Sequence, residues 1–116
     1  MSTMTDRITF DDFLKVDIRL GTVIDAQPFP EARKPAIKLW IDFGSEIGTR
    51  RTSAQIAAHY RVDTLIGKRV VAVVNFPPRQ IGPFMSEVLT LGVHDADENV
   101  TLLAPDHDAP DGARVC

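Results

Sequence analysis

The chain has 116 residues, 44% apolar and 25% charged, and a formal net charge of -3. That size allows one modest core, and the composition excludes a disordered tract; no apolar run approaches the roughly 20 residues of a bilayer-spanning helix. The negative balance argues at first against a nucleic-acid partner, because phosphate binding relies on Lys and Arg to release counterions.

The N-terminus carries Asp6, Asp11 and Asp12 among polar residues, so it lacks the basic start and apolar stretch of a secretory signal, and a cytoplasmic location is expected. Thr9 to Lys15 reads as a short helix, with Thr9 as N-cap, Asp11 and Asp12 in the first turn, and Phe10, Phe13 and Leu14 on a face that needs covering. From Val16 the period becomes two. Ile18, Leu20, Thr22 and Ile24 share one face and Asp17, Arg19, Gly21, Val23 and Asp25 the other, which predicts a half-buried first strand. Gln27 to Ala36 holds three prolines and reads as a loop.

Ile37, Leu39, Ile41 and Phe43 alternate with Lys38, Trp40 and Asp42 in a second strand, which turns at Gly44 to Gly48 into a third from Thr49 to Ser53. Gln55 to Lys68 loses the strand period, and Gly67 is placed as a stop, so a short, broken helix is expected. Arg69 to Phe76, rich in valine and bounded by Pro77 and Pro78, predicts a central strand. Pro77 to Met85 reads as a loop, Ser86 to Val93 alternates again, and Val100 to Leu103 forms a last short strand after an acidic turn. Asp95, Asp97 and Asn99 match the first ligand spacing of a calcium loop. Val100 stands where such a loop needs Gly and Asp106 where it needs Glu, so a turn and no metal site is expected. Cys116, the last residue and the one cysteine, excludes an intrachain disulfide and a cysteine zinc site. Five strands with one helix between the third and fourth is the order of an OB-fold, an all-β barrel, although the same strand count suits other small barrels; the core is expected at about 16–103 with extensions 1–15 and 104–116 in a single domain, 1–116.

Charge is unevenly spread along these elements. Between Arg33 and Arg79 nine bases face three acids, whereas from Asp95 onward six acids face one base. A basic middle with an acidic tail can focus an anionic ligand on one face of an acidic protein.

Four motifs occur in order: Asp17-Ile18-Arg19-Leu20-Gly21, Phe29-Pro30-Glu31-Ala32-Arg33, Ser53-Ala54-Gln55-Ile56, and Asn75-Phe76-Pro77-Pro78-Arg79 running on to Ser86-Glu87-Val88-Leu89-Thr90-Leu91-Gly92. Together, from about Phe10 to Pro110, they resemble the tRNA-binding-domain proteins of the CsaA type, an OB-fold family of export-related chaperones. The resemblance implies a non-catalytic, cofactor-free homodimer that binds unfolded or presequence peptides and tRNA. A dedicated tRNA-binding structural cofactor without chaperone activity is the alternative. The dimer would bury Phe10, Phe13 and Leu14 in front and Val100, Leu102 and Leu103 behind.

An OB-fold binds ligands on its second and third strands and on the loops joining strands 1 to 2 and 4 to 5. That surface nominates Arg33, Lys34, Lys38, Trp40, Arg51, Ser53, Asn75, Arg79 and Ser86 for RNA: bases for phosphates, an aromatic for stacking, and hydrogen-bonding groups for sugars and base edges. Phe76, Pro78, Ile81, Phe84 and Met85 make an apolar, adaptable stretch suited to peptides. Other roles stay open: Trp40 as a subunit contact, Asn75 and Ser86 as strand ends bonding local backbone, Arg19 as a partner of a neighbouring Asp, and the apolar stretch as packing under the barrel. One departure from the family pattern is that Gln80 and Met85 supply no charge where bases are typical after the Pro-Pro-Arg element, which predicts a shallower salt dependence for RNA. Ser53, His59 and Asp63 follow triad order without a nucleophile elbow, so no enzyme is expected.

Overall fold

The computed structural model describes residues 5–116; residues 1–4 of the expected N-terminal extension lie outside the described residues. Helix α1 (Phe10–Leu14) begins as its sequence predicts: Thr9 Oγ1 accepts from the Asp12 amide at 3.2 Å and the Asp12 carboxylate accepts from the Thr9 amide at 3.0 Å. Strands β1 (Ile18–Pro28) and β2 (Ile37–Asp42) pair antiparallel. The single-turn helix α2 (Gly44–Ile47) then leads into β3 (Thr49–Ala54), antiparallel to β2. Helix α3 (Val62–Leu65) precedes β4 (Arg69–Val73), which lies on the other edge of β1. Strands β5 (Arg79–Ile81) and β6 (Phe84–Ser86) form a hairpin, β7 (Leu89–Thr90) pairs with β4, and β8 (Gly92–His94) pairs with β9 (Val100–Leu102).

The main sheet runs β3-β2-β1-β4-β7, and its ends approach each other. The Glu87 amide donates to the Arg51 carbonyl at 2.8 Å, and Thr52 Oγ1 donates to the Val88 carbonyl at 2.7 Å. A five-stranded antiparallel sheet nearly closed in this order is an OB-fold barrel. Its interior is filled by Val23, Leu39, Ile41, Phe43, Ile56, Leu65, Val70, Ala72, Val88 and Leu102, all buried.

Several expectations change at this level. The first strand does not simply bury its Ile18-to-Ile24 face: the β1·β2 register shifts between Val23 and Asp25, and Ile24 is 49% exposed at that bulge. An extra residue in one strand reverses the alternation beyond it. Gly21 and Val23 before the bulge and Ala26 beyond it face the interior, and a Cβ at Gly21 would lie 2.6 Å from Ile41 Cγ2 and 2.8 Å from Phe43 Cδ1. Leu102 belongs to the core, so it is not available to a second subunit. The stretch expected as a loop before Ser86 is a hairpin that turns at Gly82 with φ of 55°. The single strand expected from Ser86 to Val93 is divided among β6, β7 and β8.

The acidic C-terminal residues return to the barrel. Gly112 and Val115 amides donate to the Leu20 and Ile18 carbonyls, and the Leu20 amide donates to Ala113 at 2.9 Å, so this segment extends the sheet along β1 beyond the end of β2. Arg69 fixes it through Asp108 at 2.9 Å, the Ala109 carbonyl at 2.6 Å and Asp111 at 3.3 Å. Arg19 donates to both Asp17 oxygens, at 2.6 and 3.3 Å, and to the Gly112 carbonyl at 3.0 Å, which assigns it the ion-pair role; the Asp17 bond holds its pKa above the ordinary value.

Candidate ligand-binding grooves

The second and third strands alternate so that Lys38 pairs with Ser53 and Trp40 with Arg51 on the outer face of the barrel. The β5–β6 hairpin docks on that face. Its Phe84 is buried between Phe29, at 5.6 Å between ring centres, and Trp40, at 6.0 Å. Lys38 Nζ lies 4.8 Å from the Phe29 ring centre and 5.2 Å from that of Phe84, and the Arg51 guanidinium carbon lies 5.2 Å from the Phe84 ring centre. Cations over ring faces are attracted by the ring quadrupole, so Lys38 and Arg51 help to seal this second core.

That packing corrects the placement of Phe84 and engages Ser86. Phe84 is in a core and presents no surface to a peptide, because its position in the hairpin points toward the barrel. Ser86 points the same way and is buried: its Oγ lies 3.0 Å from Thr52 Oγ1 and accepts from the Ser53 amide at 3.2 Å. Asn75 is also engaged. Its Oδ1 accepts from the Asp17 amide at 3.0 Å and its Nδ2 donates to the Lys15 carbonyl at 2.8 Å, tying the end of β4 to the N-terminal segment.

Two adjoining grooves of about 480 Å³ each lie where the β5 strand of the hairpin meets the end of β3. The first is mostly apolar, lined by Phe76, Ile56, Val88, Leu89 and Val100, with Glu87 beside them. The second is basic, lined by Arg33 and Lys34 with Glu31 as its acid. Ser53, Gln55, Arg79 and Ile81 line both. Among the described residues no ion pair engages Arg33, Lys34 or Arg79, and all three are exposed. Of the residues nominated from the sequence, Arg33 and Lys34 line only the basic groove, Phe76 and Ser86 only the apolar one, and Ser53, Arg79 and Ile81 both. Lys38, Trp40 and Arg51 sit on the neighbouring face around Phe84; Pro78 and Met85 line neither groove. Gln55 and Leu89 are groove residues that sequence reasoning passed over, although both lie inside the quoted motifs.

The remaining polar candidates are committed elsewhere. His59 Nε2 lies 2.6 Å from Asp95 Oδ2, Asp63 pairs with Arg61 at 3.3 Å, and Ser53 lines the grooves, so these three do not form one constellation. The His59 hydrogen bond, then the Asn99 amide, hold the Asp95 carboxyl below its ordinary range. Asp95 Oδ1 also accepts from the Asp97 and Asn99 amides, each at 2.9 Å, which makes this acidic stretch a capped hairpin turn.

Comparison with known proteins agrees with this architecture. The family model described as "Putative tRNA binding domain" matches residues 18–114. The solved chaperone CsaA of Bacillus anthracis superposes with a TM-score of 0.89 at 48% identity, over 96% of this chain and 100% of that one. The CsaA chaperone protein of Picrophilus torridus gives 0.88 at 50% identity, over 95% and 100%. The methionine--tRNA ligase of Porphyromonas gingivalis is 37% identical over 112 residues, 97% of this chain but 16% of the ligase. The chain thus spans about one-sixth of the length of such curated relatives. With the family model spanning most of the barrel and the CsaA structures matched end to end, the chain belongs to the tRNA-binding-domain family, as a member of its CsaA type.

Proposed function

We propose that this protein is a non-catalytic chaperone of the cytoplasm that holds unfolded or presequence-like peptides and also binds tRNA. The observation that carries the reading is the pair of adjoining grooves beside the β5–β6 hairpin, one apolar and one with three bases outside any ion pair among the described residues. Exposed Arg33, Lys34 and Arg79 suit the backbone of a structured RNA, which is recognised through phosphates and shape. The strip of Phe76, Leu89 and Val100 suits extended apolar segments.

The protein works as a homodimer in this reading. Ile8 and Phe10 are 70% and 69% exposed, and Leu14 and Leu103 are exposed as well, an apolar surface that a second copy would cover. Light scattering at micromolar concentration should give twice the chain mass, and a monomer there would remove the dimer from the proposal.

Fluorescence anisotropy with bulk tRNA and with a labelled unfolded peptide tests the whole. RNA affinity should fall steeply with salt and peptide affinity should barely change. Binding of tRNA without any binding of peptide would favour a tRNA-binding structural cofactor instead; binding of neither would end both readings.

A further inference from the structure

The two grooves are not independent, because β5 of the hairpin and the end of β3 offer the same residues to both: Ser53, Gln55, Arg79 and Ile81. The hairpin cannot slide aside to separate them, since Phe84 anchors it between Phe29 and Trp40. At its base Ser86 bonds across to β3, with 3.0 Å to Thr52 Oγ1 and 3.2 Å from the Ser53 amide. Arg79 is exposed, and no ion pair among the described residues fixes it toward either side.

From this shared saddle we infer that tRNA and peptide exclude one another on a single subunit, so that tRNA regulates peptide holding by direct competition. The inference rests on the proposed function above. A phosphate bound by Arg33 and Lys34 recruits Arg79 as third base and covers the Ser53 and Gln55 rim. A peptide lying along Phe76 and Leu89 covers the same rim and needs the Arg79 stem and Ile81 as its wall. One guanidinium cannot be desolvated against both ligands, and ordering it on one side removes it from the other. Linkage makes the coupling reciprocal, so peptide must weaken tRNA by the factor by which tRNA weakens peptide.

The residues divide accordingly. Arg33 and Lys34 belong to the RNA side alone, Phe76 and Leu89 to the peptide side alone, and Arg79 to both. The test is a titration of a fluorescein-labelled unfolded apolar peptide at low salt in rising bulk tRNA, after each ligand has been shown to bind alone. Exclusion predicts an apparent peptide Kd that climbs in proportion to tRNA without a ceiling, about tenfold when tRNA is at ten times its own Kd. Added salt should release the tRNA and restore the peptide. In the Arg33→Ala/Lys34→Ala double variant peptide should bind as before and lose most of its sensitivity to tRNA. A peptide Kd that levels off at a plateau under saturating tRNA, or does not move, would overturn the exclusion while leaving the proposed function standing. If either ligand fails to bind alone, the proposed function falls and the exclusion with it. The plateau is the deciding quantity because a dimer with one ligand on each subunit would still give a mixed complex at partial saturation.

Discussion

Trp40 and Phe84 meet edge to face, with ring centres 6.0 Å apart and 78° between their planes. This contact joins the outer face of β2 to the β5–β6 hairpin, whose Arg79 and Ile81 line both grooves. An edge-to-face pair directs the positive ring edge of one partner at the negative face of the other, which fixes orientation as well as burial.

Removing the anchor should loosen the hairpin. Phe84→Ala deletes a buried ring with two aromatic neighbours and two cations above it. A loss of about 3 kcal/mol is expected from the cavity it leaves. Urea denaturation measures it, and retention of wild-type stability would show that the hairpin is held by its strand pairing alone.

The basic groove should read out in salt dependence. Each phosphate that the protein ceases to neutralise lowers the slope of log affinity against log salt by about 0.7 to 0.9. Arg33→Ala/Lys34→Ala should therefore flatten the tRNA slope by about 1.5 with no change in thermal midpoint. An unchanged slope would move the RNA surface elsewhere, with the face of Lys38, Trp40 and Arg51 as the next candidate.

Gly21 is a packing requirement, since any Cβ there meets Ile41 and Phe43 inside 3 Å. Gly21→Ala should destabilise the barrel by about 1–3 kcal/mol through overpacking, seen as a lower urea midpoint. Gly48 provides a contrast: a Cβ there meets nothing, and its φ of 80° makes substitution costly through backbone strain alone.

Arg69 should control the C-terminal segment. With its bonds to Asp108, Ala109 and Asp111 removed in Arg69→Ala, amide exchange at Leu20 should accelerate by about tenfold, the equivalent of one charged hydrogen bond. The Leu39 amide, inside the β1–β2–β3 sheet, serves as the unaffected reference. Equal acceleration at both would mean that the whole barrel had been destabilised.

Acid should weaken the tie between the 55–61 segment and the β8–β9 turn. The folded pKa of Asp95 lies below its ordinary 3.8, so its contribution is complete above that value and is lost as pH falls through the folded one. In Asp95→Asn the stability at neutral pH should be lower and its decline below about pH 4 shallower, measured as urea midpoints across that range.

Local signals in the sequence were enough for the elements whose causes are local. The Thr9 capping box, the alternation of Ile37 to Phe43, and the placing of Lys38, Trp40, Arg51 and Ser53 on the outer face all follow from spacings of two to four residues. So did the gathering of Arg33, Lys34 and Arg79, once the order of strands nominated their loops as neighbours. The tertiary structure alone decided which way the hairpin faces. Phe84 and Ser86 turn toward the barrel because Phe29 and the outer-facing Trp40 receive the ring and the inward-facing Thr52 at the β3 edge receives the hydroxyl, and no period within Pro77 to Ser86 encodes those contacts. It also decided the bulge at Ile24, after which Ala26 joins Gly21 and Val23 in facing inward. The acidic tail became part of the sheet for the same reason: Arg19 and Gly112 are 93 positions apart, and only a closed barrel brings the free edge of β1 beside them.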